Sequence, residues 1–454
     1  MFAAIAILPV ARAQNAPAPA PLTLEQAVSA ALKNYPALRV SQEQINAASA
    51  GIQLARTAYL PRVDGIAQVN RATRNNVFGM LLPQSVIPSI SGPVIGSNNL
   101  GSVWGSAVGG LVSWEPFDFG LRSANVAAAT AARAQSEASL IRTRFEIEVA
   151  AADAYLTLIA AQETIRAAQA GVDRADTILK IISAQVNAEL RPGADQSRAE
   201  AELAAARTQL IQAQQAASVA RANLAQFVAL QPAEIAIAEG ALLQLPPATG
   251  ASSPNVSGHP ALLEQNATIE QARAQLRVLE RSYFPKFSVQ GAAYARGTGA
   301  EITGNRLGGV NGLAPNVQNY AIGFTVTVPL MDLPAIHARE AAQSAVIRSQ
   351  IARSEQLTLE LRTQWNRAVA ALSGARQVAA NTPLQVYAAK TATQQATARY
   401  QAGLGNITDL AEAQRLQTQA EIDDALARLS VWRGLLMIAG VAGDVQPFIV
   451  EVGR

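Results

Sequence analysis

The sequence has no cysteine and only two histidines in 454 residues, and it is poor in aromatic (5%) and charged (15%) side chains. The missing cysteine excludes a disulfide scaffold, a thiolate zinc site, a cysteine nucleophile and a lipid-modified N-terminal cysteine. His259 sits before a proline at a helix start, and His337 has no partner at metal-ligand spacing. No phosphate-cradling glycine loop and no H-E-x-x-H pair occurs, so neither a catalytic constellation nor a cofactor is expected. The net charge is +3, with Lys and Arg scattered along the chain, which is not the footprint of a nucleic-acid binder. What fills the chain is alanine. Half of the residues are hydrophobic, but alanine buries little area per residue and suits helices that approach closely along their length.

Residues Phe2 to Val10 form a short apolar run ahead of Ala11-Arg12-Ala13, a small-x-small pattern. This predicts a signal peptide over 1–13, with the mature chain starting near Gln14. The usual basic stretch is missing, which leaves the true start of the precursor open. Asn15 to Pro21 reads as an extended linker. No run approaches the ~20 apolar residues of a membrane-spanning helix, so an exported chain that does not cross a membrane as a helix is expected.

The chain repeats itself. Tyr35-Pro36-Ala37-Leu38 returns as His259-Pro260-Ala261-Leu262, and Tyr59-Leu60-Pro61 returns as Tyr283-Phe284-Pro285. Asp118 and Asp195 are separated by 77 residues, as are Asp332 and Asp409 (195 − 118 = 409 − 332 = 77). Each copy reads helix, strand, loop, strand, long helix, tight turn, helix. The first repeat spans 14–240, a linker 241–257, the second repeat 258–443 and a C-terminal tail 444–454. The first helix is expected from about Leu24 to Tyr59.

Four segments alternate with period two, at 62–72, 101–115, 286–296 and 319–329. Tyr320, Ile322, Phe324 and Val326 interleave with Ala321, Gly323, Thr325 and Thr327. An apolar row backed by a small or polar one is the pattern of a transmembrane β-strand. The loops between them, 73–100 and 297–318, would lie outside the cell. Aromatic residues concentrate here, with 12 of the 22 Phe, Trp and Tyr in 59–119 and 283–324. Between the strand pairs run proline-poor stretches from about Leu121 to Ala188 and from Ile336 to Gln401. Phe145, Val149, Ala152, Leu156 and Ile159 follow a 3.5-residue repeat that resumes, phase-shifted, from Ala168. Helices of that length need neighbours, and four strands cannot close a barrel when the smallest have about eight. Symmetric assembly cures both deficits.

These features resemble the TolC family of outer-membrane efflux proteins. The likeness rests on the Pro-Ala-Leu helix starts, the Tyr-Leu/Phe-Pro segments, Phe117-Asp118-Phe119-Gly120 and Val328-Pro329-Leu330-Met331-Asp332. It rests above all on Arg399-Tyr400-Gln401-Ala402-Gly403-Leu404-Gly405-Asn406-Ile407-Thr408-Asp409-Leu410. The resemblance implies a mainly α fold with a small β part: a long coiled-coil α-helical barrel and four strands per chain, completing a 12-stranded barrel as a homotrimer. It implies an export duct in the outer membrane of a Gram-negative bacterium that extends into the periplasm. The duct would meet outer-membrane lipid, a periplasmic adaptor protein and an inner-membrane transporter, in a tripartite efflux or type I secretion system. The competing readings are a structural periplasmic coiled-coil protein without a pore and, weaker for want of any site, an exported enzyme.

The resemblance also implies a site. The hairpin-tip turns hold Leu190 and Gly193 in the first copy and Gly403, Leu404 and Gly405 in the second. Asp409 and Glu412, three apart on one helix face, match the acidic rings of the family's narrow periplasmic entrance. Tyr400 and Asp195 match residues that hold that entrance shut. The family's gate arginine falls on Gly405, and Arg191 and Arg198 are the nearest cations able to take its place. Glu189 stands where the second copy has Gly403, although glycine is the residue suited to a left-handed cap.

Overall fold

The computed structural model describes residues 21–73, 101–247, 256–299, 301 and 306–453. The expected signal peptide 1–13, all but the last residue of the Asn15–Pro21 linker, and nearly all of the 73–100 loop lie outside these residues. The chain divides into two compact units, one of residues 42–138 and 264–355, the other of residues up to 41, 139–263 and from 356 onward.

The first of these units contains the sheet. Strands β1 (Arg62–Thr73), β2 (Ser102–Phe117), β3 (Lys286–Thr298) and β4 (Val317–Thr327) pair antiparallel in the order β1-β2-β3-β4. The register places Val63 opposite Val112, Trp114 opposite Val289, and Val289 opposite Phe324. One face therefore carries Val63, Val69, Val108, Val112, Trp114, Ile322 and Phe324, and it is exposed, with Tyr320 84% and Ile322 81% accessible. The opposite face carries Asp64, Gln68, Gln290 and Thr325 around a small buried cluster of Ala107, Leu111, Ala292 and Tyr294. β2 runs two residues past the expected end at 115, because a register irregularity between Trp114 and Phe117 lets pairing resume at Phe117–Phe287. Where β2 leads into the next helix, Asp118 Oδ2 accepts from the Arg122 backbone N–H (2.6 Å) and from Arg122 Nε (2.9 Å). The Arg122 guanidinium lies 4.8 Å from the Tyr59 ring centre.

The helices begin where local chemistry allows. Helix α1 (Leu24–Asn34) opens with a capping box between Thr23 and Gln26. The single helix expected over 24–59 is broken at Tyr35, whose extended backbone (φ −70°, ψ 123°) is the conformation that a residue before proline favours. Pro36 then starts α2 (Pro36–Thr57). Helices α3 (Leu121–Asn187, 67 residues) and α4 (Gly193–Val228) form one hairpin. After α5 (Pro260–Arg281), α6 (Leu333–Gln401, 69 residues) and α7 (Ile407–Ala442) form the second. Pro334 is tolerated in the first turn of α6, where its missing N–H would have no intrahelical partner.

Two expectations for the chain ends of the repeats change. The segment 444–454 is not a free tail: Gln446–Val452 forms α8, with Phe448 and Ile449 buried beside Trp432. The start of the 241–257 linker is likewise folded, with Leu242 1% exposed in a single 3-10 turn and the Gln244 carbonyl accepting from Trp432 Nε1 (2.9 Å). Both are drawn in because Trp432, Leu436 and Tyr155 leave apolar surface that only these segments cover. Tyr155 is fully buried, its hydroxyl 2.8 Å from the Leu22 carbonyl and 2.5 Å from that of Ala238. Burial pushes its phenol up to about 12. By length and composition α7 could cross a membrane, but half of its most apolar window is buried against this core. Its apolar residues are accounted for by packing.

Candidate functional site at the helical hairpin turns

Both hairpins end in the same backbone device. At the end of α6, Gly403 is left-handed (φ 77°), the Gly403 N–H donates to the Tyr400 carbonyl (3.1 Å) and the Leu404 N–H to the Arg399 carbonyl (2.9 Å). At the end of α3, Glu189 is left-handed (φ 57°), with Glu189 N–H to Val186 (2.9 Å) and Leu190 N–H to Gln185 (2.9 Å). These are paired Schellman closures. Each projects a leucine outward, Leu190 and Leu404, both 73% exposed. Gly193 opens α4, and Gly405 precedes Asn406, whose side chain caps α7 by accepting from the Asp409 N–H (2.7 Å).

Between the turns Tyr400 is buried, 1% exposed, in a cluster with Ile182, Ala199, Ile407 and Leu410. Its hydroxyl donates to Asp195 Oδ2 (3.0 Å). Arg191 Nη2 donates to the Tyr400 carbonyl (2.6 Å), and the guanidinium lies 4.5 Å from the Tyr400 ring centre. Burial, then the hydrogen bond and charge of Asp195, push the phenol up to about 12, so Tyr400 remains a donor throughout the physiological range. The structure thus brings Tyr400, Asp195 and Arg191 together. Of the two candidate cations, Arg191 is the one that contacts Tyr400. Arg198 is used elsewhere, on Glu202 (3.2 Å).

Asp409 and Glu412 are both exposed on α7. They are not joined to the Tyr400 cluster. Glu412 instead borders a cavity of about 360 Å³ with Glu202, Arg415, Thr418 and Gly171. Two contacts here escape sequence reasoning. Arg415 grips Glu202 with both Nε (2.9 Å) and Nη2 (2.6 Å), and this hydrogen bonding holds the Glu202 carboxyl below the usual range. Arg174 donates to Glu421 (2.9 Å) and Thr418 (2.8 Å), with Gly171 against Thr418 where a Cβ would come within 3.0 Å of its hydroxyl. The partners are more than 200 residues apart in sequence, so no local spacing marks them. The unbroken run of α3 through Gly171 was the one available hint of a close helix approach. Among the described residues no group of three or more His, Cys, Asp or Glu gathers to hold a metal ion.

The family model for outer membrane efflux proteins matches residues 27–229 and 256–443, which include both repeats and both turns. The chain belongs to the outer membrane efflux protein family. Its similarity to curated relatives runs along nearly the whole length. It is 24% identical to the cobalt-zinc-cadmium resistance protein CzcC of Cupriavidus metallidurans, over 88% of this chain and 85% of that one. It is 26% identical to protein CyaE of Bordetella pertussis, over 93% and 84%. Among solved structures, the CmeC outer membrane channel of Campylobacter jejuni superposes with a TM-score of 0.72 at 16% identity, covering 95% of this chain and 89% of that one. The family member described here is therefore an outer-membrane efflux or secretion channel of Gram-negative type that extends into the periplasm, with helices and strands in that family's arrangement.

Proposed function

We propose that three copies of this chain close into one passive duct, each giving β1–β4 to a 12-stranded barrel and its two hairpins to a periplasmic entrance. The observation that carries this reading is the sheet. It has four strands, an exposed apolar face, and edge strands β1 and β4 with no strand beyond them among the described residues. An open sheet in lipid leaves unpaired backbone groups at several kcal/mol each, and closure with further strands removes them. Exposed apolar side chains on the helices, such as Leu54, Ile211, Leu384 and Tyr387, give the same argument for helix neighbours.

In this reading residues 1–13 direct export, 73–100 and 297–318 face outward, and the turns at Leu190–Gly193 and Gly403–Gly405 form the periplasmic tip. Leu190 and Leu404 there suit contact with a periplasmic adaptor, which couples the duct to an inner-membrane transporter. Tyr400, Asp195 and Arg191 hold the tip shut, and Asp409 with Glu412 present six carboxylates around the threefold axis. The chain itself contributes neither chemistry nor energy, so the cargo follows the transporter. The relative named for cobalt, zinc and cadmium resistance makes divalent metal cations the first cargo to test.

The experiment is extraction and conductance. A channel of this kind is released only by detergent, runs as an SDS-resistant trimer and conducts in a planar bilayer. A monomer soluble without detergent would refute the duct and favour a poreless periplasmic protein.

A further inference from the structure

At the end of the sheet away from α2 and α3, two guanidinium groups stand where the apolar face stops. Trp104 and Trp114 lie on that same face of β2, ten residues apart. Ten residues of strand measure about 33 Å, which at a tilt near 40° becomes about 25 Å, the height of the apolar band of an outer-membrane barrel. Trp114 marks the inner boundary, its indole donating to the Tyr59 carbonyl (3.1 Å). Trp104 marks the outer one. Opposite Trp104 in the β1–β2 register is Arg71, whose guanidinium lies 5.2 Å from the Trp104 ring centre. Arg71 Nε donates to Ser102 Oγ (3.0 Å), which leaves its two Nη groups unengaged among the described residues.

The segment that carries Arg306 is held against β2 by tight backbone packing. The Gly299 N–H donates to the Trp104 carbonyl (2.8 Å) and the Leu307 N–H to the Gly299 carbonyl (2.9 Å). A Cβ on Gly312 (φ 97°) would come within 2.2 Å of the Trp104 carbonyl, so only glycine lets the segment lie this close. Asn311 Nδ2 braces the loop by donating to the Leu307 (2.7 Å) and Gly308 (2.9 Å) carbonyls. Arg71 and Arg306 line one cavity of about 410 Å³, and among the described residues no carboxylate lines it. Leu307 lines it as well, and Leu307, Val310 and Leu313 of the same segment are all exposed.

We propose that this cavity binds the phosphate of a phosphorylated glycolipid of the outer leaflet, with the acyl chains lying along the exposed apolar face. The inference rests on the membrane reading of the sheet given above. Two arginines with no carboxylate among the described lining residues match a phosphate dianion, and guanidinium is the side chain suited to its planar, paired recognition. The indole places that charge at headgroup depth, and cationic pockets at this level are where anionic lipid headgroups are recognised. A polar extracellular ligand would not account for the exposed leucines and valine of this segment.

The test uses the full-length protein in detergent, with purified diphosphorylated lipid A as probe and retained lipid counted by native mass spectrometry. Unaltered protein should retain diphosphorylated lipid A and lose dephosphorylated lipid A. The double variant Arg71→Gln/Arg306→Gln should retain the diphosphorylated form about tenfold less, and each single variant should fall between. Far-UV circular dichroism and the SDS-resistant band check that the variant still folds. If it does not, competition between the two lipid forms on unaltered protein decides the matter alone. Equal retention of the two lipid forms, or equal retention by variant and unaltered protein, overturns the site. Equal retention of phosphatidylglycerol overturns the glycolipid and leaves a general anionic-lipid surface. Absence of conductance with intact lipid selectivity would count against the duct and not against this site.

Discussion

Glu189 and Gly403 occupy matching left-handed positions, yet only one of them is glycine. A side chain in that region costs roughly 1–2 kcal/mol, and the closing hydrogen bonds of the turn impose it. Glu189→Gly is therefore expected to stabilise the first hairpin by about 1 kcal/mol, while Gly403→Ala destabilises the second by a similar amount. Both are read as shifts of the denaturation midpoint. His259 is a different case at the same scale. It is 7% exposed, its Nδ1 accepts from the Ala261 N–H (3.1 Å), and its Nε2 lies 3.3 Å from the Gly440 carbonyl. Only the neutral ring makes both contacts, and burial holds its pKa below the usual value. A depressed histidine pKa means that the unfolded chain binds the proton more readily. Its contribution is complete above about pH 6.5 and declines as pH falls from there through the folded pKa. His259→Gln should flatten the dependence of melting temperature on pH between 5 and 7.5; an unchanged slope would show that other groups set it.

The proposed gate consists of contacts between elements. Tyr400→Phe removes the hydroxyl that Asp195 accepts while keeping the ring beneath Arg191, so single-channel conductance should rise without loss of the trimer. Because folding raises the Tyr400 pKa to about 12, this hydrogen bond contributes fully below about pH 10 and fades as pH rises towards 12. The Glu202–Arg415 pair joins α4 to α7, and the Arg415 side chain is 57% exposed, which limits its worth to about 0.5–1 kcal/mol. Glu202 has a depressed pKa, so that contribution is present above about pH 4.5 and is lost on further acidification. Charge exchange in Glu202→Arg/Arg415→Glu should restore the stability that either single change removes, as measured by a double-mutant cycle.

The elements themselves differ in how far sequence reveals them. Period-two alternation locates β4 closely, because successive side chains must point to opposite faces. It misses the end of β2 because the irregularity after Trp114 shifts the phase. The break at Tyr35 was written in Pro36, but among the described residues His259, which replaces Tyr35 in the second copy, follows a short 3-10 turn (Val256–Gly258) and not a helix, so the copies differ in a way that matching motifs conceal. Helix α8 carries no distinctive pattern over its seven residues. Its existence depends on the apolar surface around Trp432 that it covers.

Across the molecule, the proposed assembly is what would give the unclosed sheet and the acidic pair on α7 their partners. If three chains converge at the tip, Asp409 and Glu412 form a ring that favours cations and repels anions. Replacing both by alanine should abolish block by divalent cations and lower cation selectivity in planar bilayers; block of unchanged strength would remove the ring from the entrance.

The amino-acid sequence alone determined the two repeats, the strand faces, the long helices and the places of the hairpin turns. Each of these follows from local rules: alternation, heptad spacing, and the backbone needs of proline and glycine. Tertiary structure alone decided that Arg191 packs on Tyr400, which carboxylates Arg415 and Arg174 hold, and that Phe448 and Ile449 of α8 belong to the core. Those outcomes join residues up to 247 positions apart. Partners so distant are chosen by helix phase and by the packing of whole elements, which no window of sequence contains.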